Sequence, residues 1–174
     1  MSKIGKDISK IKGFVFDVDG VLSATTLQIA DDGNPIRTTN LKDGYALRVA
    51  LEGGYKIAII TGGKTQAVIN RYTLLGIKDI YAGKSKKLPV LKEWLEKENL
   101  APEEVAYMGD DIPDLQCLRT VGLSACPHDA TSEVLSTCDF ISKFTGGYGC
   151  VRDLIETVLR AQEKWTATTG SVGA

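Results

Sequence analysis

Six short apolar runs recur along the chain without alternating apolar and polar residues: Phe14–Asp17, Lys56–Thr61, Ile80–Ala82, Val105–Gly109, Leu123–Ala125 and Asp139–Ile141. Strands of this kind are buried on both faces, which requires helices above and below the sheet. Helical patterns fill the intervals, at Gly44–Leu51, Thr65–Leu75, Lys87–Glu98, Ile112–Arg119, Ala130–Ser136 and Cys150–Trp165. The alternation predicts an α/β three-layer fold with a mostly parallel sheet. With 174 residues the chain is long enough to bury one full core. We read a single domain over residues 1–166 and a flexible tail over 167–174, where threonine, glycine and serine prevail.

One segment departs from the rhythm. Leu27–Asn40 carries Asp32-Gly33-Asn34 between two extended, partly polar flanks, and reads as a β-hairpin over residues 27–40 projecting from the sheet.

The first run ends on two carboxylates one residue apart, Asp17 and Asp19, followed by Gly20. In open α/β sheets ligands bind beyond the carboxyl ends of the strands. Two uncompensated acids so close repel, and a divalent cation with oxygen ligands, such as Mg2+, resolves the conflict. A second acidic group stands in the equivalent place, Asp110-Asp111 after Gly109, with Asp114 one helical turn on. Asp111 reads equally well as a helix cap. Asp110 ends its strand as Asp17 does.

Thr61 ends another run, and Gly62-Gly63 leads from it into a helix, which makes an anion seat of hydroxyl and free amides. Gly63-Lys64-Thr65 is not a phosphate-binding P-loop, because the glycine required five residues earlier is Ala58. Of the basic loop Lys84, Lys86 and Lys87, the first two read as solvated, while Lys87 is placed to reach a phosphate or Asp17.

Net charge is −1, from 21 basic and 22 acidic residues, so no global field points to nucleic acid, a membrane surface or an acidic partner. No run is long enough to span a bilayer and no signal-peptide pattern opens the sequence. Cys117, Cys126, Cys138 and Cys150 show no C-x-x-C spacing, which argues against a zinc site with His128 and for free thiols in a reducing cytoplasm.

In order, the pattern D-x-D-G, a strand-ending Thr, a Lys and G-D-D-x-x-D resembles the haloacid dehalogenase-like phosphatase superfamily, across Phe14 to Asp114. The resemblance implies a Rossmann-like fold and an aspartyl-phosphate mechanism. Asp17 would be nucleophile, and Asp19 general acid and then base. Mg2+ would be held by Asp17, Asp110 and the carbonyl of Asp19. Thr61, Gly62 and Lys87 would bind the phosphate, and Asp111 and Asp114 would orient Lys87 and metal-bound waters. The gaps between motifs leave no room for a cap domain.

The capless layout, the hairpin, Asn40–Arg48 and Gly146–Asp153 are similar to the 3-deoxy-D-manno-octulosonate 8-phosphate phosphatase family. That implies hydrolysis of a small anionic sugar-acid phosphate in lipopolysaccharide precursor biosynthesis, and a homotetramer joined through the hairpins. It also implies that residues 144–150, with Gly147 and Tyr148, cover a neighbouring subunit's site. Many relatives place a basic residue where Gly63 stands, and some an arginine at Tyr148. The substrate carboxylate is therefore left to Arg37, Lys42, Lys64 or Arg152. Alternatives are a phosphatase for nine-carbon sugar-acid 9-phosphates, a phosphotransferase, a non-catalytic subunit, and a receiver-like phospho-switch.

Overall fold

The computed structural model describes residues 5–165. The tail expected over 167–174 lies outside them. Six strands form one parallel sheet: β1 (Gly13–Phe16), β4 (Lys56–Ile60), β5 (Asp79–Tyr81), β6 (Val105–Met108), β7 (Leu123–Cys126) and β8 (Phe140–Ile141), in the order β5-β4-β1-β6-β7-β8. The helices are α1 (Leu41–Glu52), α2 (Gln66–Leu74), α3 (Lys87–Glu98), α4 (Leu115–Leu118), α5 (Ser132–Thr137) and α6 (Cys150–Ala161).

The two faces of β1 explain the unbroken apolar runs. Phe14 and Phe16 pack with Leu47, Ile59, Leu154 and Val158 beneath α1 and α6, and Val15 packs with Ile60, Leu91, Trp94 and Tyr107 beneath α3. A strand covered on both sides has no solvent face for polar residues to mark.

The sheet grows from β1 outward in both directions, so the strand order reverses beside it, and a crevice opens at the carboxyl ends of β1 and β6. Strand pairing stops one residue before the polar end of three runs. Asp17, Thr61 and Gly109 each still donate an amide to a neighbouring strand, to Met108, Tyr81 and Ala125 respectively.

The expected hairpin forms a separate two-stranded antiparallel sheet of β2 (Gln28–Ile29) and β3 (Pro35–Ile36), and Asp32 accepts from the Asn34 amide at its turn. Its apolar residues face outward: Ile29 is 76% and Ile36 50% exposed.

Two helices differ from their sequence expectation. Ile112–Arg119 is a 3-10 turn, Ile112–Asp114, followed by the short α4, because Pro113 opens it and the Asp114 carboxylate reaches back to the amides of Asp110 and Asp111. The last helix stops at Ala161 and not at Trp165. The Gln162 side chain leaves the helix direction to donate to the carbonyls of Ile8 and Ile11.

The glycine-rich segment packs against the loop after β1. Gly147 donates to the Val21 carbonyl at 2.8 Å, Gly146 donates to Asp129 at 2.8 Å, and a Cβ on Gly146 would stand 1.9 Å from the Gly20 carbonyl. Its backbone is committed to the loop after β1 of its own chain, and Tyr148 beside it is 66% exposed.

Candidate active site

Four strand ends supply the walls of a cleft of about 580 Å3. At the end of β1, Asp17 is buried and accepts the Val18 amide at 2.7 Å. The chain then turns at Gly20, whose φ of +80° and position 1.9 Å (as a virtual Cβ) from Asp110 Oδ2 leave no room for a side chain. Asp19 lines the cleft beyond.

Across the crevice, Asp110 and Asp111 follow β6, and Asp114 is fully buried. Both Asp114 oxygens are saturated. Oδ1 accepts from Lys87 Nζ (2.8 Å) and the Tyr107 hydroxyl (2.7 Å), and Oδ2 from the amides of Asp110 (3.1 Å) and Asp111 (3.4 Å). It is an anchor that fixes the β6 loop and the ammonium together.

Lys87 is the first residue of α3, where the helix dipole disfavours a cation. It is nevertheless 5% exposed, with Nζ 2.9 Å from Asp17 Oδ2 as well as bonded to Asp114. Burial works against the ammonium, but the two carboxylates outweigh it and raise its pKa. Thr61 and Gly62 close the third side, with the Thr61 hydroxyl accepting from the Gly63 amide at 3.2 Å.

The acids are under-compensated. One oxygen each from Asp17, Asp110 and Asp114 lies within 4.8 Å of the others. Burial, then the Asp114 charge, against the opposing pull of Lys87, pushes Asp17 up to about 7. Burial, then Asp17 and Asp114, pushes Asp110 up to about 8. A single ammonium does not neutralise this group, and a divalent cation with oxygen preference fits it. Since Asp114 already accepts four hydrogen bonds, Asp17 and Asp110 are the carboxylates with capacity left.

The remaining sequence candidates separate clearly. Asp111 does not touch Lys87. It is exposed and caps the following turn by accepting from the Ile112 amide at 2.7 Å. The Asp19 side chain is gripped by Arg37 at 2.9 Å through both oxygens. Lys42 is exposed on the first turn of α1, and Lys64 lies over Gly83, where a Cβ would meet its Cε at 2.4 Å. Gly147 is held by Asn40 and Val21, and Tyr148 is 66% exposed. Arg152 is spent elsewhere, 5.8 Å over Tyr45, 5.4 Å over Trp165 and paired with Glu156.

Three features escaped the sequence reading. Tyr107 sits mid-strand among apolar residues, with nothing local to mark its bond to Asp114. Lys84, read as solvated, lines the cleft with Ser85. The Arg37 grip on Asp19 joins the hairpin to the loop after β1, and sequence distance hides it.

A parallel sheet with this aspartate pair at its switch point, and with Thr61, Lys87 and Asp110 converging on it, defines a haloacid dehalogenase-like hydrolase. A family profile described as haloacid dehalogenase-like hydrolase matches residues 73–152. The 3-deoxy-D-manno-octulosonate 8-phosphate phosphatase of Escherichia coli K12 is 39% identical over 160 residues, covering 92% of this chain and 85% of that protein. Two solved structures of phosphatases with the same name superpose closely. That from Moraxella catarrhalis, in complex with magnesium ion, phosphate ion and KDO, has a TM-score of 0.89 at 33% identity and 96% coverage of both chains. That from Yersinia pestis has a TM-score of 0.88 at 34% identity, covering 92% of this chain and 86% of the other. The chain belongs to the 3-deoxy-D-manno-octulosonate 8-phosphate phosphatase family.

Proposed function

We propose that the protein is a Mg2+-dependent phosphatase that hydrolyses 3-deoxy-D-manno-octulosonate 8-phosphate to the free sugar acid and phosphate, in lipopolysaccharide precursor biosynthesis. The observation that carries this reading is the buried Lys87 ammonium shared by Asp17 and Asp114 beside Asp110. In this reading Asp17 is the nucleophile, Lys87 the phosphate-binding cation, and Asp17 with Asp110 the oxygen donors suited to a divalent metal. The family membership supplies the substrate.

In this reading Asp17 attacks phosphorus, and the ester P–O bond breaks as Asp19 protonates the leaving sugar oxygen. Water then attacks the aspartyl-phosphate, giving its proton to Asp19 and releasing phosphate. The Thr61 hydroxyl, the Gly62 amide and Lys87 bind the phosphoryl oxygens and stabilise charge as it develops. Asp17, Asp110 and the Asp19 carbonyl would hold Mg2+, which when bound neutralises the carboxylates and polarises the phosphoryl group. Asp114 acts through Lys87 and the β6 loop, and Asp111 only by capping.

The hairpins would join four copies into a tetramer. A two-stranded sheet this short, with Ile29 and Ile36 exposed, gains stability by packing on others. Among the described residues no helix is long and apolar enough to cross a membrane, and the four cysteines are free, which supports a cytoplasmic location.

The test is phosphate release with Mg2+ and then with chelator, across the eight-carbon acid 8-phosphate, a nine-carbon acid 9-phosphate and hexose phosphates. Preference for the nine-carbon ester would keep the chemistry and replace the substrate. Loss of all turnover would end the reading.

A further inference from the structure

Arg37 has no task in the reaction as written, yet it controls a group that does. It follows β3 and sends its guanidinium into the cleft, Nε 2.9 Å from Asp19 Oδ1 and Nη2 2.9 Å from Asp19 Oδ2. Fork-on-fork pairing of this kind is the strongest geometry open to an arginine and a carboxylate, and it uses both oxygens. The arginine side chain is 11% exposed and the aspartate side chain 44%, so the cation is the anchored partner.

Space for the guanidinium comes from Gly63. A Cβ there would stand 2.6 Å from Arg37 Nη2 and 3.2 Å from Cζ. The Gly63 backbone is outside the left-handed region, so conformation does not require a glycine. Room for Arg37 does. This chain leaves a cradle after the Thr61-Gly62 pair and fills it with a cation from the hairpin. Lys64, the neighbouring cation, is turned over Gly83.

The pairing has a functional cost. While the arginine fork holds both Asp19 oxygens, the carboxylate is committed to Arg37 and not to a leaving-group oxygen. A substrate that carries its own carboxylate offers the guanidinium an equivalent partner. We propose that Arg37 exchanges partners, holding Asp19 in the free enzyme and the sugar acid's carboxylate in the complex, so that only a carboxylate-bearing phosphate ester releases Asp19 to act. Arg37 is then a specificity-determining residue, and discrimination appears in kcat as well as KM. The inference rests on the phosphatase reading above.

The experiment measures kcat and KM separately for the sugar-acid 8-phosphate and for p-nitrophenyl phosphate, which has no carboxylate, in the wild type, Arg37→Met and Gly63→Ala. Arg37→Met should raise KM for the sugar acid about 10- to 100-fold, the range of a charged hydrogen bond, and should raise kcat for p-nitrophenyl phosphate because Asp19 is set free. Gly63→Ala, whose methyl crowds the guanidinium without deleting it, should shift both quantities the same way by less. It decides the matter if Arg37→Met folds poorly. A proportionate fall in kcat for both esters would make Arg37 a fixed brace and overturn the exchange. So would an unchanged kcat for p-nitrophenyl phosphate. A wild type that cleaves p-nitrophenyl phosphate but not the sugar-acid ester would instead remove the substrate assignment, and this inference with it.

Discussion

Lys87 Nζ lies 2.9 Å from Asp17 Oδ2 at the bottom of the cleft, with both side chains almost wholly buried. Asp114 holds the ammonium from the other side at 2.8 Å. Removing the ammonium leaves two buried carboxylates facing one another. Lys87→Met is therefore expected to lower phosphate release about 10²-fold or more, as for loss of a preorganised charge donor. It should also cost about 3 kcal/mol of stability near pH 8. The stability loss should shrink near pH 5, where Asp17 takes a proton. Denaturant titrations at the two pH values check this.

Asp17→Asn removes the nucleophile and one of the crowded acids together. Turnover should vanish while the melting temperature stays level or rises, because the burial penalty on the charge disappears. Substantial phosphate release by the purified variant would remove Asp17 from its role.

The acids also set a pH dependence. Asp17 and Asp110 hold their protons to about 7 and about 8 in the fold, against 3.8 ordinarily. Between those values the unfolded chain binds fewer protons, so the metal-free protein loses stability as pH rises from about 4 to about 8. Mg2+ binds the ionised carboxylates and should raise the melting temperature more near pH 8 than near pH 5. At a hundredfold excess over its Kd the gain is about 2.7 kcal/mol, or roughly 5–10 °C for a chain of this size. Equal shifts at both pH values would contradict this account of the site.

Gly146→Ala places a methyl 1.9 Å from the Gly20 carbonyl. Something must move, and overpacking of this kind costs about 1–3 kcal/mol. Because Gly20 follows Asp19 directly, kcat should fall with stability. Urea melts and phosphate release measured on the same preparation check both.

Ile29→Asp with Ile36→Asp puts charges on both exposed apolar positions of the hairpin. Light scattering should show the proposed tetramer replaced by smaller species. An unchanged mass would place the assembly surface elsewhere.

Much of this architecture is legible in the linear chain because it is local. An apolar run that ends on Asp17, Thr61 or Asp110 states both a buried strand and a polar strand end, and parallel order then gathers those ends on one edge. Lys87 was visible for the same reason, as a cation at a helix start next to a strand end. Local signals misled where a side chain bonded backward. The Asp114 carboxylate turned an expected helix into a 3-10 turn, and Gln162 ended α6 early.

The sequence alone determined the fold class, the edge of the sheet that bears the acids and the polar residues that gather there. Only tertiary structure decided their partners: Tyr107 and Lys87 on Asp114, Arg37 on Asp19 over the space at Gly63, and Gly146 against its own chain's Gly20. Periodicity and strand ends are written in neighbouring residues. Hydrogen bonds and contacts of this kind depend on distances of a few ångströms between residues far apart in the chain, and these exist only once the layers have packed.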